Sequence, residues 1–170
     1  VNDLLGRPEY LHVLVNPLLT HALPCVALGL LVALLSRSSG ATRLALLLVL
    51  LSSAAVWPAT HFGQRGYDRV KSMADETGGD WLAVHRHRAE KNAWLFYAAA
   101  AGAFAALVVP LRWEKSSRPL AWLALALAAA ACAAAVYIAY PAGRIRHREF
   151  RNGPPPATEL QAAHAEAGED

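Results

Sequence analysis

The chain has 170 residues, 55% of them hydrophobic and 17% charged, with a formal net charge of +3. The apolar residues form long blocks rather than amphipathic stripes, a membrane composition whose length suits one compact domain. No basic stripe interleaved with aromatics is present, which argues against nucleic-acid binding, and the two cysteines, both inside apolar blocks, argue against a disulfide framework.

Residues 1–16 read as a short segment at the membrane surface, with Leu4, Leu5, Tyr10, Leu11, Val13 and Leu14 dipping into the interface and Asp3, Arg7 and Glu9 wet. His12 is then an interfacial bystander. No cleavable signal peptide is expected, because the segment is not basic and the first apolar block is too long for a signal core. Asn16 is a good N-cap and Pro17 suits a first helical position, so the spacing predicts a first spanning helix over 17–35. Further apolar blocks at 44–60, 92–111 and 120–140 complete an all-α, four-transmembrane-helix bundle over 17–141, each block near the roughly 20 residues that cross a bilayer. Cys25 lies one turn beyond His21 and is read as packing.

The connections differ in kind. Those at 36–43 and 112–119 are short and basic. The one from about residue 62 to 91 is long and charged. Its 80–91 portion has helical composition and extends the third helix, while Gly63, Gly66, Gly78 and Gly79 mark turns. The fourth block is nearly pure alanine over 128–135, a smooth face for close helix approach. Residues 142–170 read as a basic and then disordered tail, with His147 and His164 as bystanders.

Ionisable groups at membrane level are costly and mark function. With alternating helices, His21, His61 and one of His85 and His87 fall on one membrane face at similar depth. Ser53, Trp57 and His61 share a helix face at four-residue steps, and Arg65 continues it. His85 and His87 point about 200° apart on a helix, so one of them faces a given centre. A b-type haem needs two axial imidazoles, an apolar aromatic slot and cations for its propionates. The ligand candidates are His21, His61, His85 and His87. Trp57, Phe62, Trp94, Phe96 and Tyr97 are candidates for the slot, and Arg65, Arg69, Arg86, Arg88 and Lys91 for the cations. The second chemistry is another transition metal held by His21, His61 and His87, with Asp68, Asp75, Glu76, Asp80 or Glu90 adding ligands, though no compact metal motif is present. The plain alternative is that these histidines are interfacial residues with no cofactor.

The run from Asn16 through His21 to Pro24, the polar turn at Thr60, His61, Phe62 and Gly63, and the charged histidine stretch 85–91 resemble an uncharacterised bacterial family of four-helix inner-membrane proteins. Members of that family open with His-Pro-x-x-Val-His-Phe-Pro. Here Asn16 stands in place of its first histidine, Thr20 and Ala22 replace its Val and Phe, and His21 keeps its second histidine. The resemblance implies a multi-pass bacterial inner-membrane domain with haem or redox association, beside cytochrome-type partners.

Lys and Arg on the histidine face number one before the first helix, six in the long connection and four after Pro141, against two and three in the short connections. The positive-inside rule then favours a cytoplasmic histidine face, and a periplasmic face, suited to exchange with periplasmic cytochromes, is the alternative. The sequence as a whole points to a cytochrome b-like electron carrier, a small subunit of a respiratory or photosynthetic complex embedded in membrane lipid, rather than to an independent enzyme. A cofactor-free accessory subunit that docks its alanine-rich helix on a partner is the alternative.

Overall fold

The computed structural model describes residues 5–168, all helix and turn with no strand among them. Asp3 and Leu4 of the expected surface segment lie outside the described residues. Four helices are long and apolar enough to cross a membrane. They are α1 (Pro8–Leu35), α2 (Ser39–Met73), α3 (Glu76–Val108) and α4 (Ser117–Arg146), followed by the short α5 (Ala157–Ala167). The residues divide into an apolar unit (Val15–Trp57 and Ala93–Ala135) and a polar unit (Val1–Leu14, Pro58–Asn92 and Val136–Asp170).

In the apolar unit the segment Leu23–Leu35 packs on Ser39–Ala54. Leu23, Leu30, Leu46, Val49 and Phe96 are its largest fully buried apolar side chains. The alanine run of α4 is used within the chain. Ala121, Ala124, Ala128, Ala131 and Ala135 recur at three- and four-residue steps and are all buried, as are Ala99, Ala103 and Ala106 of α3. A β-carbon on Gly102 would lie 2.7 Å from Leu127 Cδ1, so α3 and α4 approach through their small residues, the packing that serves helices in lipid. The outward side is the reverse of a soluble protein's. Leu28, Val32, Leu44, Leu51, Phe104, Leu123 and Trp122 are exposed, and every charged residue of this unit lies in or beside its two short connections. An apolar exterior over a helical backbone that satisfies its own hydrogen bonds is what a bilayer requires.

Two prolines shape this unit. The first helix starts at Pro8 rather than Pro17, with Pro17 inside it and a π-turn at Leu18–Ala22 directly after. Pro17 lacks an N–H and its ring crowds the carbonyl one turn back, and Pro24 removes a second bond, so the chain widens to an i→i+5 pattern, with Leu23 N–H on Leu18 O. His21 therefore lies roughly 20 Å along the helix, at about 1.5 Å per residue, not one turn from its start. Pro58 acts in the same way on α2, which is interrupted at Ala55 between Ser39–Ala54 and Val56–Met73.

The polar unit has its own small core of Trp81, Leu82 and Ile145, flanked by Tyr67, Val70 and Ala74. Gly63 and Gly66 lie inside α2 rather than in a turn. A β-carbon on Gly66 would sit 2.9 Å from the Glu9 backbone, and one on Gly63 would sit 3.0 Å from His12 Nδ1. Both glycines are contact points for the first helix, tied there also by Arg69 Nε to Glu9 Oε1 at 2.7 Å. The stretch 80–91 extends α3 outward from its apolar block as expected. The tail expected to be disordered beyond Asn152 instead forms α5, whose Glu159, Ala163 and Glu166 recur on one helix face.

Candidate functional site

The histidine environment of the polar unit begins with a residue that sequence reasoning set aside. His12 Nδ1 lies 2.7 Å from Ala59 O, and His85 Nδ1 lies 2.9 Å from Ile138 O. A carbonyl oxygen only accepts, so each imidazole donates from Nδ1, and in the neutral ring Nε2 carries the lone pair. This is the arrangement by which a second hydrogen bond fixes the tautomer and orientation of a ligand histidine. The two rings are neighbours, with centroids 6.5 Å apart and planes at 79°. Two imidazoles bound trans to one metal ion through bonds of about 2.0–2.1 Å hold their centroids roughly 6.4 Å apart. The centroid separation is close to that value, and Nε2 is the lone-pair nitrogen of each neutral ring.

The remaining expected residues are placed as follows. His61 is half-buried and meets Phe62 edge-on at 5.4 Å. Buried His87 is hydrogen-bonded through Nδ1 to Glu166 Oε2 at 2.7 Å. His21 belongs to the apolar unit, where it is exposed. There Thr20 Oγ1 donates to Asn16 O at 3.1 Å and so accepts from His21 Nδ1 at 2.8 Å. Trp57 and Trp94, expected to line a slot, are 63% and 61% exposed in the apolar unit, whereas Phe96 there is buried. Arg65 is exposed. Among the described residues no group of three His, Cys, Asp or Glu side chains is arranged to hold a metal ion.

Arg88, expected as a propionate partner, is instead part of the clasp that holds α5. Its Nε and Nη2 donate to Glu159 Oε2 and Oε1 at 2.7 and 3.1 Å, and its Nη1 donates to Tyr137 O at 3.0 Å. Its guanidinium lies 4.0 Å from the Tyr137 ring centroid. The fork geometry is bidentate, the strongest form of this pair, and Arg88 beside Glu159 holds that carboxyl below its usual range. His87 and Arg88 thus both serve α5, one through Glu166 and the other through Glu159.

A second ionic cluster fixes the helix ends. Asp75, directly before α3, accepts from Gly78 N at 2.9 Å as an N-cap does. It also pairs with Arg151 Nη1 and Arg148 Nε, each at 2.8 Å. Arg151 in turn donates to Arg144 O and Ile145 O, at 2.6 and 2.8 Å, two of the carbonyls that the end of α4 leaves without helical partners. The Arg151 hydrogen bond holds the Asp75 carboxyl down at about 2, assisted by the Gly78 N–H and by the charges of both arginines.

His12 was missed because one residue in an amphipathic opening segment carries no spacing signal. The Glu159 and Glu166 partners were missed because the tail's composition reads as disorder. The chain matches no protein-family model, no curated protein and no solved structure.

Proposed function

We propose that this chain is a b-type haem protein of the bacterial inner membrane that carries electrons as a small subunit of a respiratory or photosynthetic assembly, with His12 and His85 as the residues that would hold the iron. The observation that supports the reading is the paired imidazoles, each oriented by a backbone carbonyl on Nδ1 so that Nε2 carries the lone pair. Two histidines would be enough to hold a haem in an electron-transfer protein, whereas a mononuclear zinc site draws on three or four protein side chains. The haem would supply one-electron chemistry. The protein would hold the ligands at fixed orientation and set the potential through the hydrogen bonds behind them. Helices on either side share that task, because the carbonyl behind His12 comes from α2 and the one behind His85 from α4.

The test is a dithionite-reduced minus oxidised absorption spectrum of the detergent-purified protein, with metal analysis on the same sample. The expected result is the sharp reduced band of a bis-imidazole b-type haem with one equivalent or more of iron. A folded, helical preparation with a flat spectrum contradicts the proposal. Stoichiometric zinc or copper in that sample would direct attention to a metal site, and no metal to the accessory-subunit reading.

A further inference from the structure

The apolar unit contains a cleft of about 490 Å³ at the end formed by its two short connections. Arg37, Arg43 and Arg118 line it against a single carboxylate, Glu114. None of the three arginines forms an ion pair among the described residues, unlike Arg69, Arg86, Arg88, Arg148 and Arg151 of the polar unit. The lining also includes Ser39 and Ser117, the first residues of α2 and α4, so the positive ends of two helix dipoles lie at the same place. The rest of the wall is apolar, with Leu34, Leu46, Leu107 and Leu111.

Arg37 adds an independent observation. It has φ 54°, the left-handed conformation, at the point where α1 ends. Ser38 N–H bonds Ala33 O at 3.1 Å and Arg37 N–H bonds Leu34 O at 3.3 Å, a helix stop whose left-handed position is ordinarily glycine. A side chain there disfavours the fold, and its guanidinium is one of the three that line the cleft. Local strain kept at a concave cationic site is the pattern of a binding position.

We propose that this cleft binds the phosphate head group of an anionic phospholipid. The three arginines take the phosphate, and the leucine wall takes the first part of the acyl chains. Phosphate is the shared chemistry, and the apolar wall in a unit with an apolar exterior favours a lipid over the free ion. The site is separate from the imidazole pair and does not depend on it.

The test is thermal unfolding of the full chain in delipidated detergent solution, followed by tryptophan fluorescence, with phosphatidylglycerol, phosphatidylcholine or inorganic phosphate added. Phosphatidylglycerol is expected to raise Tm well beyond phosphatidylcholine, and Arg43→Gln or Arg118→Gln to remove most of that difference. Arg37→Gly gives a sharper reading, because it relieves the strain and removes one charge. It is expected to raise Tm without lipid yet shrink the phosphatidylglycerol shift. Equal shifts from the two lipids, or a full shift retained in Arg37→Gly, would overturn the site. A shift from inorganic phosphate equal to that from phosphatidylglycerol would overturn the lipid assignment.

Discussion

Asp75 shows how much a single side chain organises here. Its carboxylate caps α3 and holds Arg151, which satisfies the last carbonyls of α4. Its folded pKa of about 2 lies below the ordinary value of 3.8, so the contribution is present in full above the ordinary value and is lost as pH falls through about 2. Protection of the Gly78 amide from exchange should therefore persist at pH 4 and fall near pH 2, and Asp75→Ala should show little protection already at neutral pH. Full protection retained in Asp75→Ala would mean the cap is not what protects this turn. Arg151→Ala removes charge-assisted bonds from two helix-end carbonyls and should lower stability by about 2–3 kcal/mol in a denaturant or thermal titration.

Elements show where sequence legibility ended. The four apolar blocks, the helical extension of α3 and the close packing of the alanine-rich helix were readable, because hydropathy and residue size act locally. The start of α1 was not, since Asn16–Pro17 is an equally good N-cap pair and only the π-turn shows that the helix passes through it. Gly63 and Gly66 carried a turn signal in sequence and a packing role in the fold, because what a glycine admits depends on its neighbour. Gly66→Ala would drive a β-carbon into the Glu9 backbone and should cost about 1–3 kcal/mol by overpacking. Gly79→Ala, with open space around it, should be neutral or stabilise by up to about 1 kcal/mol through reduced backbone entropy. Thermal melts showing the same sign for both would contradict the contact between α1 and α2.

α5 was illegible for a related reason: an Ala/Glu-rich segment cannot bury enough apolar surface alone, and its order comes from partners far away in sequence. Ending the chain at residue 152 leaves buried Arg88 without its carboxylate, a situation that costs about 3–5 kcal/mol. The truncated protein should lose protection from exchange around Arg88 and Asn92. Acid should mimic the truncation, because the lowered Glu159 pKa makes the clasp complete above the usual carboxylate range and weak once pH falls through the folded value. Unchanged protection after truncation would show that α5 does not support the site.

At the scale of the whole molecule, each unit has a distinct chemistry. The apolar unit exposes leucine, valine and aromatic side chains and keeps its charges to its short connections, while the polar unit holds its charges in specific pairs. The candidate site was half legible. His85 was marked by its charged helical stretch, but its neighbour His12 lies 73 positions earlier, and His21 and His61, the strongest candidates by spacing, are in different units. The most direct test of the central claim is therefore the haem content and reduced spectrum of four single variants prepared alike: His12→Ala, His85→Ala, His21→Ala and His61→Ala. The expected result is loss of the bis-imidazole spectrum in the first two and its retention in the last two. Full haem retention in both His12→Ala and His85→Ala, or loss confined to His21→Ala and His61→Ala, would contradict the account.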